Sequence, residues 1–191
     1  MDRGAFVLAL DLGLNLGFAV GCVGAPSPEA DILTLNGGVN DKKRLPEIGS
    51  LMNQALNGLE DLFDKYQPDY LGVEDAIPQR DNNHDRTARI TLGLHALTDM
   101  VAHQHGMTIA NGRLIRPSVD RVRKQVCGRA RRTPLERAAK PKITVKQCIV
   151  DPFIARVGWQ IIDDHNARDA AVLWAYCSAH IRRDQLLKNA R

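Results

Sequence analysis

Three acidic residues stand at the edges of apolar segments, where a buried carboxylate is costly. Asp11 follows the apolar run 6–10, Glu74 follows the run 70–73, and Asp169 opens an apolar helical stretch. A carboxylate in such a place needs a compensating cation, hydrogen bonds or a metal ion. No Lys or Arg lies beside Asp11 or Glu74 in the sequence. Because oxygen ligands suit Mg²⁺ and Mn²⁺, the pattern predicts a divalent-cation site that folding assembles.

The length of the chain, 191 residues, suits one well-buried domain and is too short for two ordinary ones. We therefore expect a single domain over residues 1–191. No apolar segment of signal-peptide length opens the sequence, and nowhere do eighteen uncharged apolar residues run together. The expected protein is soluble and cytoplasmic, of bacterial origin or of a virus or phage inside its host, with no membrane association.

The positive charge of the chain is concentrated in one basic segment, residues 113–146. This segment carries twelve Lys or Arg residues against two acidic ones, whereas the rest of the chain carries 14 basic and 20 acidic residues. A basic block on an otherwise acidic body is typical of a surface that contacts nucleic acid. A solvated charge run that binds nothing is the alternative that composition leaves open.

Hydrophobic periodicity predicts a sheet with helices on its faces. Five segments have the composition of strands, with turn signals between the first three: 6–10, 17–23, 32–35, 70–73 and 107–115. Helical periodicity covers five others: 45–67, 85–105, 119–126, 143–150 and 163–187. This order predicts an α/β protein whose five-stranded mixed sheet has three antiparallel strands followed by parallel ones.

Three short motifs around the acids resemble, in combination, one family of nucleases. They are Leu8-Ala-Leu-Asp-Leu-Gly-Leu-Asn-Leu-Gly17, Val73-Glu-Asp75 and His165-Asn-Ala-Arg-Asp-Ala-Ala171. In this order and on these elements they are similar to the RuvC-type Holliday junction resolvases of the RNase H-like superfamily, over residues 6–180. The resemblance implies an RNase H-like fold and a Mg²⁺-dependent endonuclease that cuts branched DNA as a homodimer.

The resemblance also assigns metal ligands. Asp11 matches the family's first-strand Asp, Glu74 its fourth-strand Glu, and Asp169 the last Asp on the final helix. Two Mg²⁺ ions, for which Mn²⁺ substitutes, would then clamp the attacking and leaving oxygens of the phosphodiester. Asp11 is expected to lie between the two ions because it sits on the middle strand, while Glu74 and Asp169 each hold one.

A fourth ligand is expected next to Asp169. The family has a further ligand, most often Asp and sometimes His, three residues before this Asp, and here the position is Asn166. His165 and Asn166 both lie about one helical turn before Asp169, so either can share its helix face. We favour His165, place Asn166 second, and rank Asp164 behind both.

Basic and apolar residues are expected to contact the DNA. The resemblance matches Lys124 to a family Lys that approaches the scissile phosphate, and Lys142 to a second Lys that opens the next helix. Family members insert an aromatic from the loop after the Glu strand; here residues 75–80 contain none, and Ile77 is the candidate apolar wedge. Further cations are expected to hold the DNA backbone by charge: Arg129, Arg131, Arg132, Arg137 and Lys140.

Two other classes of protein stay open at this point. A catalytically weak or inactive RNase H-like DNA-binding module is suggested by Asn166, which stands where a carboxylate is expected. An actin-like or sugar-kinase ATPase domain also opens with a strand followed by Asp-x-Gly. That class is usually far longer and has a second phosphate-binding motif, which this sequence lacks.

Overall fold

A five-stranded mixed sheet lies at the centre of the fold. The structure is a computed structural model that describes residues 4–36, 47–75 and 85–190. Its strands are β1 (Phe6–Asp11), β2 (Asn15–Cys22), β3 (Glu29–Thr34), β4 (Tyr70–Val73) and β5 (Leu114–Ile115). They are ordered β3-β2-β1-β4-β5, with β1, β2 and β3 antiparallel and with β4 parallel to both β1 and β5. The predicted fold class and the central position of β1 are confirmed.

Six α-helices and one π-helical turn surround this sheet in the described residues. The helices are α1 (Ile48–Tyr66), α2 (Asp85–Gln104), α3 (Val119–Cys127), α4 (Pro134–Ala138), α5 (Asp151–Val157) and α6 (His165–Asn189). The π-helical turn, Lys146–Val150, runs directly into α5. No helix in these ranges combines the length and apolar character needed to cross a membrane.

Two predicted elements are wrong in extent. The strand predicted over 107–115 pairs with β4 only through Leu114 and Ile115. Before them the chain turns, because the Asn111 side-chain oxygen accepts hydrogen bonds from the N–H groups of Thr108 and Arg113, both at 3.0 Å. The helix predicted over 143–150 is the π-helical turn together with α5, and the short helix α4 was not predicted.

Helices cover both faces of the sheet. Leu8 and Leu10 of β1 point into a core made with α1 and α2. Val7 and Ala9 point the opposite way, into a core made with α3, α5 and α6. This alternation is the ordinary consequence of the two-residue period of a strand. Asp11 continues the series of Val7 and Ala9, so β1 directs it to the face that α6 covers.

Helix α6 lies unusually close to the sheet because glycine faces it. A Cβ atom at Gly17 of β2 would lie 2.1 Å from the backbone oxygen of Asn166, in the first turn of α6. A Cβ atom at Gly72 of β4 would lie 2.5 Å from Cys177 Sγ, farther along the same helix. Gly17 pairs with Asp11 across the β1–β2 ladder, so the start of α6 is held beside Asp11.

Replacing Gly17 by Ala is expected to lower the free energy of unfolding by about 1–3 kcal/mol, because the new methyl group overlaps backbone that cannot rotate away. Urea unfolding followed by circular dichroism measures this. Gly49→Ala is the matched control, since a Cβ atom there meets nothing within 4 Å and helix propensity favours Ala. Equal stability of the two variants would contradict the close packing of α6 on Gly17.

Candidate active site

Asp11 and Glu74 meet at one edge of the sheet. Strands β1 and β4 run parallel, with Leu10 paired to Val73. Asp11 follows Leu10 and Glu74 follows Val73, so the two acids leave neighbouring strands at the same height along the sheet. Leu10 and Val73 both point into the core made with α1 and α2. The alternation therefore turns Asp11 and Glu74 to the opposite face, where α6 lies.

Asp169 reaches the same place from the second turn of α6. Its side chain is only 6% exposed. The helix begins at Asp164, whose Oδ1 accepts hydrogen bonds from the N–H groups of Asn166 (2.7 Å) and Ala167 (3.2 Å). This N-cap and the contact at Gly17 fix the start of α6, and so they fix the height of Asp169 above the sheet.

The pKa values of the acids show that the three carboxylates interact. Burial, with a further contribution from the charge of Asp169, raises the pKa of Asp11 from 3.8 to about 6. Burial, with the charges of Asp11 and Asp169, raises the pKa of Glu74 from 4.5 to about 8. Negative charge is thus concentrated beyond what the surrounding protein compensates. Such strongly shifted carboxyl groups are typical of functional sites.

Two cations from the basic segment contact this cluster. Lys146 Nζ lies 2.6 Å from Asp169 Oδ2 and 3.8 Å from Asp11 Oδ2. Arg123 Nη2 lies 3.4 Å from Asp169 Oδ2. Sequence reasoning missed both partners, because they are far from the acids in the chain. The available signals were their place in the basic segment and, for Arg123, its position next to Lys124.

The two lysines that the resemblance selected lie elsewhere. Lys124 is exposed on α3 and lines a surface cavity of about 630 Å³ together with Arg121 and residues 128–131. Lys142 is exposed, four residues before Lys146. The lysine that touches the acids is therefore Lys146, and contact of Lys124 or Lys142 with a phosphate stays a prediction.

The candidates for the fourth ligand differ in how close they lie to the carboxylates. His165 is exposed to solvent, whereas Asn166 is half-buried and its Oδ1 lies 3.5 Å from Lys146 Nζ. The carboxylate of Asp164 is engaged as the N-cap of α6, although its charge also contributes to the raised pKa of Asp11. The geometry thus ranks Asn166 above His165, while ligation itself stays a prediction.

Part of the basic segment is held together by its own arginines. Arg129 donates to both carboxylate oxygens of Glu136, each at 2.6 Å, and to the backbone oxygen of Cys148 at 2.7 Å. Arg132 donates to the backbone oxygen of Ile143 at 2.7 Å. The guanidinium groups of both arginines are thus engaged within the protein, and contact of either arginine with DNA stays a prediction.

The other predicted DNA-binding cations face solvent. Arg131 is 87% exposed in its side chain and contacts only the exposed carboxylate of Asp120, at 3.3 Å, among the described ion pairs. Four more are exposed: Lys124, Arg137, Lys140 and Lys142. Ile77, the candidate wedge, lies outside the described residues. The exposed cations are the part of the basic segment that a DNA backbone could reach.

The donor atoms at the acids are of the chemical kind that a hard divalent cation binds. Asp11, Glu74 and Asp169 supply carboxylate oxygens, and Asn166 supplies an amide oxygen. Burial and mutual repulsion raise the pKa values of Asp11 and Glu74, so a bound cation would favour their charged forms. Within residues 4–36, 47–75 and 85–190, however, no three His, Cys, Asp or Glu side chains stand together as a metal-holding group.

The strand order of the mixed sheet and the helices on both of its faces define an α/β protein with an RNase H-like fold. No protein-family model and no curated protein sequence matches the chain. Its structure is similar to that of T. thermophilus RuvC in complex with Holliday junction substrate, with a TM-score of 0.61 and 14% sequence identity over 95% of this chain and 96% of that one.

Two further solved structures agree with this likeness. A second Thermus thermophilus RuvC structure gives a TM-score of 0.56 and 16% identity, over 94% of this chain and 96% of that one. The yeast mitochondrial Holliday junction resolvase Ydc2 gives 0.52 and 12%, over 95% of this chain and 83% of that one. The RuvC-type fold expected from the sequence motifs is thereby confirmed.

Glu74→Gln is expected to stabilise the protein at high pH. Because folding raises the pKa of Glu74, its ionisation opposes folding: the penalty is absent below pH 4.5 and complete above about pH 8. Between pH 4.5 and about pH 8, the ionisation of Glu74 should lower the free energy of unfolding of the wild type by up to about 1.4 kcal/mol per pH unit. Urea unfolding in EDTA at pH 5 and pH 8.5 measures the difference.

The matched control for this experiment is Glu60→Gln, at an exposed position of α1. The Glu74→Gln variant should gain stability over wild type at pH 8.5 and little at pH 5, while the control changes equally at both. A gain for Glu74→Gln that does not depend on pH would show that the carboxyl group is not held in its protonated form by the fold.

Proposed function

We propose that this chain is a metal-dependent endonuclease that resolves Holliday junctions or related branched DNA. The observation that carries the proposal is the cluster of Asp11, Glu74 and Asp169, which three separate elements bring to one sheet edge with too little positive charge to balance it. A carboxylate cluster of this kind lowers the stability of the fold and is therefore expected to bind a cation. The likeness to a RuvC bound to its junction substrate supports the choice of branched DNA.

The proposed reaction is hydrolysis of a phosphodiester. Asp11, Glu74 and Asp169 would hold the metal, with Asn166 as a neighbouring oxygen donor. Two Mg²⁺ or Mn²⁺ ions at these residues would activate a water and stabilise the leaving oxygen. Asp11 is mounted on the central strand, which gives it a rigid support. Arg123, which contacts Asp169, would offset negative charge on the phosphate.

The exposed cations of the basic segment would hold the DNA backbone. Lys124 and Arg131 line one surface cavity, on the same helix and loop that lead away from Arg123. The ion pair between Arg129 and Glu136 keeps this loop in place, which lowers the entropy lost on binding. Contacts of this kind give affinity with little sequence preference.

A homodimer is part of the proposal because of the symmetry of the substrate. Resolving a four-way junction requires two cuts in strands that a two-fold axis relates. A pair of identical subunits with one site each matches that symmetry.

A catalytically weak DNA-binding module is the second candidate. It is favoured by Asn166 at a position where a carboxylate was expected, and by Lys146, whose ammonium is bound to Asp169. The two candidates predict the same binding to branched DNA but different chemistry, so a cleavage assay separates them.

Asp11→Asn is expected to reduce cleavage of a synthetic four-way junction in Mg²⁺ at least roughly a hundredfold, because it removes the central ligand charge. Junction binding in EDTA should stay at the wild-type level. Labelled-strand cleavage and gel-shift titration measure the two quantities, with the exposed Asp61→Asn as control. Wild-type cleavage by the Asp11→Asn variant would contradict the site, and binding without cleavage by the wild type would favour the second candidate.

Lys124→Ala is expected to weaken junction binding and to reduce the slope of log affinity against log salt concentration by about one, because one phosphate contact is lost. Fluorescence anisotropy in EDTA at several salt concentrations measures the slope. Lys188→Ala, an exposed change near the end of α6, serves as control. An unchanged slope for Lys124→Ala would remove Lys124 from the DNA-binding surface.

A further inference from the structure

The ammonium group of Lys146 lies where three proposed ligand residues meet. Its Nζ is 2.6 Å from Asp169 Oδ2, 3.5 Å from Asn166 Oδ1 and 3.8 Å from Asp11 Oδ2. A positive group surrounded by two carboxylates and an amide oxygen makes the contacts that a bound cation would make. Lys146 and a divalent cation therefore compete for the same oxygens.

Lys146 differs from Arg123, the other cation at the cluster, in its contacts and in the flexibility of its side chain. Arg123 contacts Asp169 alone among the three carboxylates in the described ion pairs, at 3.4 Å, through a planar and permanently charged group. The Lys146 side chain is 29% exposed, whereas that of Asp169 is 6% exposed. Its flexible four-carbon stem allows the ammonium to withdraw toward solvent while the backbone stays in place.

The backbone at Lys146 is also unusual. Residues Lys146–Val150 form a π-helical turn before α5, and such turns are rare and often found at functional sites. Ile149 and Val150 of this turn are buried in the core, so they anchor it while Lys146 projects toward the acids. The lysine is thus presented to the cluster by a fixed element.

We infer that Lys146 is a built-in counter-cation of the carboxylate cluster, which a divalent cation has to displace before the site can hold metal. The inference rests on the proposed function and adds a residue that sets the cation affinity of the site. Without metal, Lys146 limits the repulsion between Asp11 and Asp169 and so keeps the sheet edge and α6 together. With metal, the displaced ammonium stays tethered at the rim, where a DNA phosphate is its nearest new partner.

Lys146→Met tests the inference, because Met keeps the length of the side chain and removes its charge. Mn²⁺ binding to the full chain without DNA is measured by electron paramagnetic resonance of free Mn²⁺. The variant is expected to bind Mn²⁺ roughly tenfold more tightly than wild type, since a competing charge is gone. Lys188→Met, a matched change at an exposed site on α6, should bind Mn²⁺ as wild type does.

Thermal unfolding of the same proteins gives a second readout. In EDTA the Lys146→Met variant should melt at a lower temperature than wild type, because Asp169 loses its closest partner. On adding Mn²⁺ its melting temperature should rise by more than that of wild type. If a folded Lys146→Met variant binds Mn²⁺ as tightly as the wild type or more weakly, the inference is overturned while the proposed function stands. Absence of Mn²⁺ binding by both proteins overturns the metal site of the proposed function, and the inference with it.

A measurement on the wild-type protein covers the case in which the Lys146→Met variant does not fold. The Lys146 ammonium, labelled with ¹⁵N and assigned through Lys146→Arg, should give an exchange-protected NMR signal in EDTA because it is ion-paired. Saturating Mg²⁺ should remove that protection. A protected signal that persists in saturating Mg²⁺, or no protected signal in EDTA, overturns the inference.

Discussion

The packing of α6 against the β1–β2 ladder is the constraint on which the site depends. Gly17 leaves room for the backbone of Asn166 to lie directly on the sheet, opposite Asp11. This close approach brings a buried acid of the helix, Asp169, to an acid at the end of the central strand. Burial, together with the repulsion that follows, raises the pKa values of Asp11 and Glu74. The fold thus maintains a local concentration of negative charge that it does not need for stability.

The basic segment has three separate tasks. Arg129 and Arg132 use their guanidinium groups to hold the segment together through Glu136 and backbone oxygens. Lys146 and Arg123 face inward and partly neutralise the acids. The exposed cations of the segment form the proposed DNA surface. One stretch of positive charge therefore supports its own structure, the carboxylate cluster and the proposed DNA surface, through different side chains.

Much of the fold and the three acids could be predicted from the sequence, because both follow from local patterns. An apolar run ended by an acid identifies a buried strand and its edge, as at Asp11 and Glu74. The partners of those acids could not be predicted, since Lys146 meets Asp11 only through tertiary packing. The orientation of His165 and Asn166 likewise depends on how α6 is rotated on Gly17. The strand predicted over 107–115 was too long, because side-chain hydrogen bonding by Asn111 overrode an apolar composition.

The proposed role of the three carboxylates at the sheet edge is to bind catalytic divalent cations. Anomalous diffraction from crystals of the protein soaked in Mn²⁺ tests it most directly. We expect strong anomalous density in contact with Asp11 and Asp169, with Glu74 as a further ligand and the Lys146 ammonium moved away. Well-ordered crystals at saturating Mn²⁺ with no density at these acids, and Lys146 still on Asp169, would contradict it.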